Sequence, residues 1–215
     1  MRIGIFGGSF NPVHVGHLIA AECAREQAGL DRVLFVPAAL PPHKQDRTLA
    51  PAEQRVEMLH LAVDGHEAFA VSTIEIDRGG VSWTVETLAA LRDARPDDDL
   101  VLLLGPDAVA DLPGWREPER IADRAELRGF ERETLDDLGR IARDPRLATL
   151  LGPDGVAALL ANRIRLPAIG IRASDLRAAL AAGRSIRYRT PRAVELYIAA
   201  HALYRGDIPH VSARV

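Results

Sequence analysis

Gly7-Gly8-Ser9-Phe10-Asn11-Pro12-Val13-His14-Val15-Gly16-His17 follows directly on a short apolar run, Ile3, Ile5 and Phe6. It precedes a segment, Leu18 to Ala28, with the spacing and residue types of a helix. Gly7 and Gly8 let the backbone turn sharply and bring its amides close to an anion. His14 and His17 lie on one side of the first helical turn if helical geometry already holds there. An anion beside that turn meets unpaired amides, the positive end of the helix dipole and two ring nitrogens, so the stretch reads as a phosphate site. The plainer readings are an ordinary glycine turn, structural histidines or a metal pair. The metal reading is disfavoured because no third ligand stands at a zinc-like spacing, and no metal is assigned to the side chains.

Working outward, Val33 to Val36 reads as a second buried strand of the parallel type, ended by Pro37. Two strand-helix units in so short a span predict a right-handed βαβ arrangement, in which ligands sit beyond the carboxyl ends of the strands. Beyond the second strand, Pro41 and Pro42 stiffen the loop that offers His43 and Lys44. Lys44 suits a phosphate, and reads equally as an exposed lysine after a proline turn. Leu100 to Leu104 is an unbroken core strand ending at Gly105-Pro106-Asp107, whose carboxylate is placed for a sugar or base, or for a cap. Ser82 is the expected N-cap of a helix beginning Trp83-Thr84, which reads as a cap with a packing tryptophan or as a nucleotide contact. Trp115 follows a rigid Leu112-Pro113-Gly114 turn, and as bare sequence its ring is as suited to the core as to a ligand. Ser174 is expected to cap a further helix with Arg177 one turn on, and Thr190 to cap the last one.

In the remaining segments, Pro51 opens a helix in which Arg55 reads as a solvated or capping charge. Phe69 to Ile76 alternates like a strand, Leu127 to Phe130 reads as an edge strand, and Arg163 to Ile171 as a last strand that Pro167 either confines to an edge or ends early. The pattern predicts an α/β fold: a Rossmann-like, doubly wound, mostly parallel sheet with helices on both faces and a small C-terminal helical region. One domain is expected over residues 1–204, with a variable segment near 133–163, the helical part at 173–204 and a flexible tail at 205–215.

The 215 residues suffice for one well-buried domain, and 47% hydrophobic with 27% charged residues is ordinary for a globular chain. A formal net charge of -3 gives no reason to expect nucleic acid as a partner. The single cysteine, Cys23, lies in an apolar helix pattern, so it reads as packing, and a disulfide framework is excluded. No stretch is long enough to span a bilayer and the start does not resemble a signal peptide, so no membrane partner and a cytoplasmic setting are expected.

The stretch from Gly7 to His17 closely resembles the signature of the nucleotidylyltransferase superfamily, which shares its His-x-Gly-His element. Across residues 1–124 and 164–204 the chain is similar to the bacterial nicotinate-nucleotide adenylyltransferases. Pro41-Pro42-His43-Lys44, Ser82-Trp83-Thr84, Gly105-x-Asp107 with Leu112-Pro-x-Trp115, and Ser174-x-x-Arg177 carry the likeness. It implies transfer of the adenylyl part of ATP to nicotinate mononucleotide with release of pyrophosphate, a step of NAD biosynthesis. It also implies Mg²⁺ held mainly by the ATP phosphates. On this resemblance His14, His17, Lys44 and Arg177 are catalytic. Gly7, Gly8, Ser9, Phe10, Gly16, Asp107 and Ser174 border ATP, and His43, Lys44, Ser82, Trp83, Thr84 and Trp115 border the acceptor.

The chain departs from the pattern where Ala38-Ala39 replaces an asparagine, Trp83 a tyrosine, Pro106 an alanine, and Arg172-Ala173 two serines. Arg172 either compensates for the lost hydroxyls or points away. Nicotinamide mononucleotide, phosphopantetheine and a non-catalytic nucleotide-binding module stay open as alternatives, as does a homo-oligomer. A dinucleotide oxidoreductase is disfavoured, because Gly7-Gly8-Ser9 lacks the Gly-x-Gly-x-x-Gly spacing.

Overall fold

The computed structural model describes residues 1–42, 49–132 and 137–205. The expectations for His43 and Lys44, for the start of the variable segment and for the tail beyond Arg205 lie outside them. Six parallel strands form one sheet in the order β3-β2-β1-β4-β5-β6. They are β1 (Arg2–Gly8), β2 (Arg32–Pro37), β3 (Phe69–Val71), β4 (Asp99–Leu104), β5 (Glu126–Arg132) and β6 (Ile164–Leu166).

Alternate residues of the apolar strands feed two separate cores, which is why their sequences show no polar alternation. Phe6, Val33, Phe35, Val101, Leu103 and Phe130 face one layer, made by α1 (Val15–Gln27), α2 (Ala52–Val63), α9 (Ala173–Ala181) and α10 (Arg192–Ala200). Ile3, Ile5, Leu34, Val36, Leu100, Leu102 and Leu104 face the other. That layer holds α4 (Thr84–Ala94), α5 (Pro106–Asp111), α6 (Pro118–Arg124), α7 (Asp137–Ile141) and α8 (Pro145–Ala161). Cys23 packs against the first core, as expected of it. The strand order reverses between β1 and β4, and a crevice at the carboxyl ends of these strands is where such sheets take ligands. No helix among the described residues is long and apolar enough to cross a membrane.

Several local expectations are corrected. The alternation from Phe69 stops at Val71, and Ile74–Arg78 forms a short helix, α3. There Glu75 turns inward, 7% exposed, to accept a hydrogen bond from Thr87 Oγ1 at 2.7 Å. β5 is an interior strand, because β6 pairs beyond it. Its charges are offset by ion pairs, Arg128 with Glu126 at 2.5 Å and Glu131 with Arg163 at 2.7 Å. β6 is the edge strand and ends before Pro167, as that proline leads one to expect. Arg55, read as a solvated or capping charge, is buried.

The expected caps also move. Ser82 lies before the N-cap Trp83 and accepts a hydrogen bond from Ala39 N–H at 2.9 Å. Arg172 is the N-cap of α9, leaving Ser174 exposed in its first turn. Thr190 precedes the N-cap Pro191 and donates its hydroxyl to Val13 O at 2.9 Å.

Candidate active site

α1 begins at Val15, three residues earlier than its apolar pattern suggests, so His14 is the N-cap and His17 the third helical residue. The His14 backbone N–H donates to His17 Nδ1 at 3.2 Å, and the two rings stack at 3.7 Å with 20° between planes. A Cβ on Gly16 would sit 3.1 Å from His14 Nδ1, so the glycine makes room for that ring. His14 is 6% exposed, and burial pushes its pKa down to about 4, leaving the ring neutral at pH 7. An acceptor at His17 Nδ1 leaves the proton of the neutral ring on Nε2, which becomes a donor.

Two cavities open at the crevice and share Gly105. The larger, of about 510 Å³, is lined by His14, Gly16, His17, Asp107, Arg132 and Arg172 among others. Asp107 is the only carboxylate among its described lining residues. The smaller, of about 150 Å³, is lined by Gly7, Gly8, Glu75, Ser82, Thr84, Thr87 and Trp115 with apolar neighbours. Nothing would meet a Cβ on Gly7 or on Gly105 within 4 Å, so both present bare backbone to open space. Trp115 is half-buried, and its Nε1 is buried with no hydrogen-bond partner.

The structure thus brings His14, His17, Gly16 and Asp107 to one cavity and Gly7, Gly8, Ser82, Thr84 and Trp115 to the other. It leaves five of the expected residues aside. Phe10 is buried, its ring 5.1 Å from that of His17. Trp83 packs against the second core with the Arg116 guanidinium 5.4 Å over its ring. Ser174 donates to Asp175 Oδ1 at 3.2 Å, and Arg177 Nη1 donates to Asn11 O at 2.7 Å, bracing the glycine-to-histidine loop. The Ser9 carbonyl accepts from Arg55.

Sequence reasoning missed Glu75 and Arg132. Nothing local marks them, since Glu75 sits in a stretch that alternates like a strand. Arg132 enters through its ion pair with the buried Asp137, at 2.8 Å.

The cytidylyltransferase-like family model matches residues 5–179. A probable nicotinate-nucleotide adenylyltransferase of Thermomicrobium roseum is 46% identical over 208 residues, 95% of this chain and 92% of that one. One from Thermus thermophilus is 45% identical over 205 residues, covering 95% and 100%. Among solved structures, the nicotinic acid mononucleotide adenylyltransferase of Plasmodium falciparum complexed with NaAD superposes with a TM-score of 0.71. It covers 94% of this chain and 97% of its own at 16% identity, a likeness of fold.

Proposed function

Because the chain belongs to the nicotinate-nucleotide adenylyltransferase family, within the cytidylyltransferase-like proteins, we propose that it joins nicotinate mononucleotide to the adenylyl part of ATP. The products are nicotinate adenine dinucleotide and pyrophosphate, and residues 1–204 act as one catalytic unit. The observation that carries this reading is the pair of cavities meeting at Gly105. A small, partly apolar one fits a pyridine ring, and a larger one lined by imidazoles and arginines fits a triphosphate.

The 5'-phosphate of the acceptor attacks the α-phosphorus of ATP with inversion, and pyrophosphate leaves. A phosphate oxygen is already a nucleophile, so the protein's work is alignment and charge stabilisation. His17 donates Nε2–H to a phosphate oxygen of the transferring group. His14, buried and neutral, holds the His17 ring by stacking and through its backbone N–H. Arg172 offsets phosphate charge, and Arg177 acts through Asn11. Trp115 stacks on the pyridine. The resemblance gives His43 and Lys44 to the acceptor and triphosphate.

Magnesium, when bound, neutralises phosphate charge. Among the described residues no three metal-ligating side chains cluster, and Asp107 is the only carboxylate described at the larger cavity. That donor set fits an ion carried on ATP and met by Asp107.

One observation favours the amide acceptor instead: the buried carboxylate of Glu75 lines the smaller cavity and opposes a second negative charge there. A pyrophosphate-release assay with ATP, magnesium and either acceptor decides. The acid should be preferred by at least about tenfold in kcat/KM, the equivalent of 1.36 kcal/mol in donor pairing. Equal efficiencies, or preference for the amide, would reject the acid assignment and leave adenylyl transfer standing.

A further inference from the structure

Arg55 stands in the first turn of α2, 1% exposed, and no carboxylate among the described residues pairs with it. Its guanidinium donates to three backbone carbonyls instead. Nε reaches Ala50 O at 3.0 Å, Nη1 reaches Ser9 O at 3.0 Å, and Nη2 reaches Ala39 O at 3.4 Å. Burying a cation is costly, and burial holds the guanidinium below its ordinary pKa although the charge of Glu53 pulls the other way. A methionine would fill the same space without that cost. What only the guanidinium supplies is a rigid fork of donors that fixes several acceptors relative to one another.

Those acceptors belong to the segments that follow the last rungs between β1 and β2. The β1–β2 ladder runs out at Gly8 and Pro37, followed by one bond from Ala38 N–H to Gly8 O at 2.9 Å. Beyond it, Ser9 leads into the histidine turn and Ala39 into the loop that borders the smaller cavity. Arg55 holds both. Two further bonds extend the link. Ala50 N–H donates to the Oδ1 of buried Asn11 at 3.1 Å, and Ala39 N–H donates to Ser82 Oγ, at the rim of the smaller cavity, at 2.9 Å.

We propose that Arg55 is a positioning residue that couples the two substrate sites. By fixing Ser9, after β1, against Ala39 and Ala50, after β2, it makes occupancy of either cavity tighten binding in the other. The inference rests on the assignment of the larger cavity to ATP and the smaller to the pyridine nucleotide.

The test is calorimetric binding of α,β-methylene-ATP and of nicotinate mononucleotide, each alone and in the presence of the other. It is applied to the full chain and to its Arg55→Lys and Arg55→Met variants. In the unmodified chain each ligand should bind about fivefold or more tightly when the other is present. In Arg55→Lys, which keeps the charge but not the fork, that factor should fall within about twofold while the circular dichroism spectrum is retained. Turnover should drop about tenfold or more. A purely structural role would lower the melting temperature and leave the mutual tightening intact.

The inference is overturned by absence of tightening in the unmodified chain, whatever the variants do. It is equally overturned if tightening persists in Arg55→Lys, or if both variants lose their cooperative fold, which would make Arg55 a residue of the core at large. An unmodified chain that releases pyrophosphate but shows no tightening refutes the coupling alone. One that neither binds the two ligands nor releases pyrophosphate refutes the functional reading and the coupling with it.

Discussion

The backbone N–H of His14 donates to Nδ1 of His17, and the two imidazoles stack at 3.7 Å. One histidine thereby sets the tautomer of the other, leaving Nε2 of His17 as a neutral N–H donor. His17→Ala should lower turnover by roughly 100-fold or more with little change in melting temperature, as loss of a transition-state contact does. Gly16→Ala, whose Cβ would crowd His14, should also lower turnover while leaving the substrate KM values nearly unchanged. Unaltered turnover in His17→Ala at saturating substrates would remove the ring from the mechanism.

Acid should find His14. Its folded pKa of about 4 lies below the ordinary 6.5, so between those values the unfolded chain takes up a proton that the folded chain refuses. The stability from burying the neutral ring is complete above pH 6.5 and is lost as pH falls towards 4, by up to about 3 kcal/mol. Denaturant titrations across that window should show the decline, and His14→Gln should flatten it. Parallel curves for the two proteins would rule out this origin.

Trp115 offers both a face and a buried, unpartnered indole N–H at the small cavity. Trp115→Ala should raise the KM for the pyridine nucleotide far more than that for ATP, with a loss of about 1 to 3 kcal/mol in acceptor binding. Trp115→Phe, which keeps a ring and deletes the donor, should fall between. Equal weakening toward both substrates with a large drop in melting temperature would instead mark a core residue.

Glu75 places a carboxylate in the same cavity. Glu75→Gln keeps the shape and the acceptor for Thr87 while removing the charge. The kcat/KM ratio of nicotinate over nicotinamide mononucleotide should therefore rise about threefold to tenfold, roughly the effect of relieving one partly screened like-charge contact. An unmoved ratio would limit Glu75 to bracing Thr87.

Arg172 and Ser174 open the same helix but differ in placement, since only Arg172 lines the larger cavity. Arg172→Ala should raise the KM for ATP about tenfold, the scale of one hydrogen bond to a charged group. Ser174→Ala should change it less than about twofold. The reverse order, read in one set of initial-rate measurements, would return the anion contact to the hydroxyl.

Much of this was legible in the chain because the signals are local. The apolar runs at Ile3 and Leu100 announce buried parallel strands, and the glycines before His14 announce a turn into a helix. What escaped depends on partners distant in sequence. Arg55 looks like any charge on an amphipathic helix, and its burial is decided by carbonyls 5, 16 and 46 residues away. The place of β5 inside the sheet depends on a strand that begins only at Ile164. Ser82 resembles a cap until Ala39 N–H claims its oxygen.

The bond from Thr190 Oγ1 to Val13 O spans 177 residues, and Arg189 O beside it accepts from Val15 N–H at 3.1 Å. During synthesis the histidine turn therefore leaves the ribosome long before the partners that lock it. Strands β1 to β6 can pair once Leu166 has emerged, but Val13 and Val15 gain these partners only some twenty-odd residues later. A nascent chain halted between those points would hold all six strands and a histidine turn still lacking these partners, so the turn is set only by the last part of the fold.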